Sequence, residues 1–148
     1  MKTYYIGKKF TDTKFNFRET CFGICEQNGK ILLTYKSSKN EYSLPGGGIE
    51  KAELKHNCLK REFIEETGYQ ISKICNLAII DCYWLADGKW PMESKANIFV
   101  VEVKCKDKIN TPTEDGCIAT WIDKDNVFEY ISLPYQIKAL EIYFSQIC

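Results

Sequence analysis

The period of apolar and polar positions changes along the chain, and each change marks an element. Residues 14–26 (KFNFRETCFGICE) have the β-branched and aromatic content of a strand. Asn28-Gly29 then supplies the positive-φ pair of a type I′ turn ahead of a second strand at 31–35 (ILLTY), which predicts a hairpin. A polar connection, 37–40, leads through Tyr42-Ser43-Leu44 into Pro45-Gly46-Gly47-Gly48, where three glycines open backbone conformations closed to other residues and let a ligand approach. Residues 51–67 (KAELKHNCLKREFIEET) hold neither proline nor glycine and predict a helix, with Gly68 placed as its left-handed cap. Strand-like runs recur at 73–85, 97–106 and 117–123, separated by turns at Asp87-Gly88 and Thr111-Pro112. The spacing Ile137, Leu140, Ile142, Tyr143, Ile147 predicts a closing helix with Ser132 as N-cap and Pro134 in its first turn. With no repeat, low-complexity tract or linker, this order reads as α+β: a mixed β-sheet with helices on it, an α/β/α sandwich.

Composition narrows the picture further. At 148 residues the chain suits one domain, 1–148, with a core that needs no disulfide staples. Twenty Lys+Arg balance 20 Asp+Glu, which disfavours nucleic acid as a partner, since no long-range basic field draws it in. No apolar run reaches the ~18 residues that span a bilayer, and the first residues lack the apolar region of a secretory signal. The expectation is a cytoplasmic protein with no membrane partner, monomeric or homodimeric. Eight cysteines stand scattered with no CxxC pair, and the single histidine, His56, has no partner at zinc-ligand spacing. They read as reduced, mostly buried apolar residues, and His56 as a helix surface residue.

The candidate chemistry is acidic. Glu62, Glu65 and Glu66 stand at i, i+3 and i+4 of the predicted helix, so their carboxylates share one face within a turn. Taken alone, three such glutamates are more often a solvated acidic face than a site. A divalent cation would turn their mutual repulsion into attraction, and oxygen-only donors suit Mg²⁺, which also coordinates phosphates.

The surrounding pattern decides between these. Gly47, five residues, Glu53, seven residues and then Arg61-Glu62-Phe63-Ile64-Glu65-Glu66-Thr67-Gly68-Tyr69 resembles the Nudix box, GX5EX7REUXEEXGU, with every invariant letter present over 47–69. The aromatics Phe63 and Tyr69 stand where that family more often has aliphatic residues. The resemblance to the Nudix hydrolases (MutT-like) implies the Nudix fold, with the box helix and a C-terminal helix packed on a mixed sheet. It implies a Mg²⁺-dependent hydrolase, with Mn²⁺ able to substitute, that cuts a pyrophosphate bond in a nucleoside diphosphate-linked small molecule by water attack at phosphorus. Carried over by position, it implies metal ligation by Glu62, Glu65, Glu66 and the Gly46 carbonyl, and supporting roles for Arg61 and Glu53. It implies a general base among Glu62, Glu65 and Glu114, the last an acid ahead of the Trp121 strand, with Asp115 beside it. Gly47 and Gly48 would receive substrate, and Trp84, with Tyr83 and Trp90 nearby, would line the variable part of the pocket. Trp84 takes the place of a proline that ADP-ribose hydrolases often carry, which marks that substrate down and leaves nucleoside triphosphates and other nucleoside diphosphate derivatives.

Other readings fare less well. A P-loop fails, because GxxxxGK[ST] is absent. A nucleotide-sensing module without catalysis has no need of all three glutamates. Processing of an RNA 5′ end would rest on the short basic strip Lys2, Lys8, Lys9 and Lys14 against a neutral whole.

Overall fold

A computed structural model describes residues 1–104 and 116–146. Glu114 and Asp115, expected to join the site, lie outside the described residues. The strands are β1 (Thr3–Ile6), β2 (Asn16–Ile24), β3 (Glu26–Gln27), β4 (Lys30–Lys36), β5 (Glu41–Ser43), β6 (Gly46–Gly48), β7 (Ile71–Ala86), β8 (Trp90–Val103) and β9 (Cys117–Asp123). The helices are α1 (Lys55–Thr67) and α2 (Pro134–Ser145), the latter preceded by a 3-10 turn at Val127–Glu129.

A five-stranded mixed sheet runs β1-β7-β8-β2-β6, with β2 parallel to β8 and β1 parallel to β7. A second, four-stranded sheet is centred on β4: β9 follows one of its edges, and β3 and β5 share the other. The Asn28-Gly29 hairpin forms as expected, with φ of 52° and 75° at the two turn residues and Gln27 opposite Lys30. This α+β sandwich agrees with the expected fold class.

Both faces of the strands are covered, so apolar residues come in near-continuous runs and alternate between two cores. On β2, Phe22 and Ile24 join Ile80, Ile98 and Leu140 beneath α2. Cys21 and Cys25 turn the other way, toward Leu59, Phe63, Phe99 and Val101 beneath α1. The cysteines thus serve as small core residues: five of the six described are buried, and Cys75 is exposed.

Several boundaries differ from the sequence reading. The strand expected at 97–106 begins at Trp90, because its first residues pair across the Asp87-Gly88 turn with β7, and it ends at Val103, with 105–106 outside the described residues. The helix begins at Lys55 rather than 51, because residues 50–53 close a turn in which the Glu53 amide donates to the Glu50 carbonyl at 3.0 Å and Ala52 takes φ 62°. At α2 the cap position falls on Leu133, which makes no side-chain cap bond, and Pro134 opens the helix, so Ser132 is not the N-cap. Strand β1 has no place in the sequence reading; it is short, and only its parallel pairing with Ile79–Cys82 makes it a strand.

Candidate active site

β6 is the edge strand of the five-stranded sheet, and α1 follows it after one turn, so glycine backbone and acidic helix are adjacent by connection. Gly46 has φ +150°, and a Cβ there would stand 2.0 Å from the Cys21 carbonyl oxygen. Only glycine fits. A Cβ on Gly47 would stand 2.6 Å from Glu62 Oε1, so the carboxylate lies directly on bare backbone.

α1 turns Cys58, Leu59 and Phe63 into the core, and Gly68, at φ 76°, ends it by donating to the carbonyls of Phe63 and Ile64. The aromatic at 63 is accommodated by Gly23 on β2, where a Cβ would lie 2.7 Å from the Phe63 ring. Tyr69 is also buried, and its hydroxyl accepts the Trp121 indole N–H at 3.2 Å.

The three glutamates occupy different environments. Glu66 is 1 % exposed; Oε1 accepts the Gly46 amide at 2.8 Å, and Lys36 Nζ stands 3.1 Å from Oε2. Glu62 is 12 % and Glu65 40 % exposed at the side chain, and each meets Arg61 Nη1, at 3.1 and 3.2 Å. Arg61 is the hub: it also grips Glu53 with two bonds, Nε to Oε2 at 2.7 Å and Nη2 to Oε1 at 3.0 Å, and donates to the Gly48 carbonyl at 3.3 Å. That fork holds the Glu53 carboxyl down at about 2 and pushes the Arg61 guanidinium up in turn. Arg61 therefore fastens α1 to the glycine strand while partly offsetting its crowded negative charge.

Burial pushes the Glu66 carboxyl up from 4.5 to about 7, against the lowering pull of the Gly46 amide and Lys36. Below pH 4.5 folded and unfolded chains both hold the proton and nothing is lost. Between 4.5 and 7 unfolding releases it, so stability falls as pH rises, by about 3 kcal/mol in all, and stays lower above 7. Urea melts at pH 5 and pH 8 test this against Glu66→Gln, which should lose less stability over that interval than the native chain. Equal losses would remove the assignment.

The site residues expected from sequence thus divide as follows. Gly46, Gly47, Gly48, Glu53, Arg61, Glu62, Glu65 and Glu66 come together. Trp84 does not join them; it lines a cleft of about 770 Å³ on the sheet face that α2 covers. Its walls include Arg18, Thr20, Glu41, Ser94 and Tyr135. The two regions meet at β6, because Thr20 lies opposite Gly48 and the Arg18 guanidinium stands 3.0 Å from where a Gly48 Cβ would be. Tyr83 bonds Glu93 through its hydroxyl at 3.2 Å, and Trp90 is 55 % exposed on the β7–β8 hairpin.

Arg18, Thr20, Ser94, Tyr135 and Lys36 were not anticipated. The available signal was the even-numbered face of β2, apolar at Phe22 and Ile24 but polar at Arg18 and Thr20, as a core face running out into a cleft would be. Lys36 had no signal, since its meeting with Glu66 depends on how the second sheet docks.

The donor set fits a hard divalent cation in kind: three carboxylates and a strand of bare backbone, with carboxylates outnumbering the Arg61 and Lys36 cations around them. Among the described residues no three ligating side chains stand preassembled around one point. Glu66 is turned to the Gly46 amide and Lys36, and Glu62 and Glu65 to Arg61.

Residues 18–140 match the family described as NUDIX domain. No curated protein matches in sequence. Among solved structures, a NUDIX hydrolase from Nitrosomonas europaea is similar with a TM-score of 0.74 at 21 % identity, over 88 % of this chain and 90 % of its own. A MutT NUDIX hydrolase from Burkholderia pseudomallei gives 0.65 at 21 % identity, over 85 % and 97 %. An ADP compounds hydrolase gives 0.66 at 16 %, over 88 % and 72 %. At such identities these likenesses are of fold.

Proposed function

The chain belongs to the NUDIX domain family, and from that premise we propose that it is a pyrophosphohydrolase that cleaves nucleoside triphosphates or related nucleoside diphosphate derivatives with Mg²⁺. The observation that carries this reading is the arrangement around β6, where the acidic helix lies against bare glycine backbone beside a cleft of nucleoside size.

Glu62, Glu65 and Glu66 would hold the ion, with the Gly46 carbonyl as a further oxygen. An ion held there would supply neutralisation of phosphate oxygens and a lowered pKa for an attacking water. The protein's own groups do the rest. Gly47 and Gly48, bare of Cβ, let the Glu62 carboxylate and the Arg18 guanidinium stand against the backbone beside which a diphosphate would lie. Arg18, reaching from Gly48 into the cleft, places a guanidinium between phosphate and nucleoside. Trp84 offers an aromatic wall, its orientation set by the indole N–H donating to Ser94 at 2.9 Å. Glu65 takes the proton from water: Arg61 holds it through Oε2, and it is the most exposed of the three carboxylates, which leaves Oε1 for the transfer. Arg61 fixes that carboxylate and the helix against Gly48. An ADP compounds hydrolase among the structural relatives makes nucleoside diphosphate derivatives part of the panel to test.

The test is phosphate or nucleotide release from nucleoside triphosphates, dinucleoside polyphosphates, nucleotide sugars and ADP-ribose, with Mg²⁺, with Mn²⁺ and with EDTA. Turnover that needs the divalent ion is expected for at least one nucleotide. Tight binding of a nucleotide with no turnover under either ion would replace the enzyme reading with a sensor.

A further inference from the structure

The cleft has a buried polar floor that the hydrolysis itself does not require. In the parallel β2–β8 ladder Arg18 lies opposite Ser94 and Thr20 opposite Ala96, so Arg18, Thr20 and Ser94 share one sheet face. Thr20 is 3 % and Ser94 4 % exposed, and both line the cleft. Among the described residues Thr20 Oγ1 is buried with no hydrogen-bond partner. Ser94 Oγ accepts the Trp84 indole N–H at 2.9 Å, which leaves its own proton to donate. Native proteins seldom leave a buried hydroxyl unpaired, and a ligand edge that meets it recovers what desolvation costs.

The hydrogen-bonding sense of this floor is biased. Arg18 has only donors, Ser94 presents a donor, and Thr20 can give or take; Glu41 is an acceptor on the same cleft. Guanine, hypoxanthine, uracil and thymine carry a ring carbonyl next to a ring N–H, an edge that meets donors and a carboxylate together. Adenine and cytosine would turn an amino group toward donors. A site built to bond a polar group rejects analogues lacking it more strongly than an apolar pocket rejects a size change.

We propose that Thr20 and Ser94 are specificity-determining residues that read the carbonyl edge of a nucleobase lying against Trp84, so that the protein favours keto bases over amino bases. This rests on the cleft being the nucleoside subsite of the proposed reaction.

Calorimetric binding of GMP, UMP, AMP and CMP in EDTA tests it without turnover. The keto pair is expected to bind at least tenfold more tightly than the amino pair. Thr20→Val, which keeps shape and removes only the hydroxyl, and Ser94→Ala should each cut that preference at least fivefold, while Thr20→Ser keeps it; thermal melts verify that each variant is folded. Equal binding of the four nucleotides, or a preference unchanged in both Thr20→Val and Ser94→Ala, overturns the proposal. Nucleoside triphosphate turnover with no base preference overturns it and leaves the hydrolase standing; no binding and no turnover for any nucleotide overturns both.

Discussion

Glu65→Gln and Glu66→Gln are each expected to lower kcat by at least about a hundredfold, the scale on which removing one acid–base or charge-stabilising group acts. Both exchanges remove negative charge and keep side-chain shape, so they separate metal and proton chemistry from packing. In Glu66→Gln the amide oxygen still accepts the Gly46 N–H, and only the Lys36 ion pair is lost. Glu65 is bonded by Arg61 and is 40 % exposed at the side chain, so its exchange leaves the core intact. A melting temperature within a few degrees of the native protein for Glu65→Gln, and one at or above the native value at pH 8 for Glu66→Gln, which no longer buries a charge, are expected together with turnover nearly abolished. Near-normal turnover in both variants would take the catalytic assignment away from this helix.

Gly46→Ala should damage the molecule more broadly. The new Cβ would meet the Cys21 carbonyl oxygen at 2.0 Å on a backbone with φ +150°, so strand β6 has to leave β2 or distort. Overpacking and backbone strain together cost on the order of 4 kcal/mol, which for a domain of this size lowers Tm by about 10 °C or more. Activity should fall with it, since the same residue's amide orients Glu66. Gly29→Ala is the control: it also has positive φ, +75°, but open space around it, and should cost only about 1 kcal/mol. A thermal melt in which both substitutions cost the same would show that close approach at Gly46 is not what selects glycine there.

What could be read in advance follows from how local each cause is. The Asn28-Gly29 hairpin, α1 with its Gly68 cap, and β9 are decided by neighbours in sequence, and the strand at 117–123 forms with those bounds. The acidic cluster was legible for the same reason: one helical turn brings Glu62, Glu65 and Glu66 together whatever surrounds them. The late start of α1 was not, because the Glu50–Glu53 turn is held by Arg61 from eight residues further on. Strand β1 was not, because four residues are too short a pattern to mark a strand and only the pairing with β7 makes them one, whereas the seven residues of β9 carry a strand's composition although its partner β4 is as distant.

The sequence by itself determined the family pattern, the run of bare backbone at Gly46-Gly47-Gly48 and the charge of the helix face, since spacing along one helix and the absence of a Cβ are properties of the chain alone. Only the tertiary structure decided that Glu66 is buried against Lys36, that Arg61 divides itself among Glu53, Glu62, Glu65 and Gly48, and that Trp84 faces a cleft floored by Thr20 and Ser94. The physical reason is reach: burial, ion pairing and cleft shape depend on which strands lie side by side, and pairings such as β2 with β8 join segments that no local pattern links.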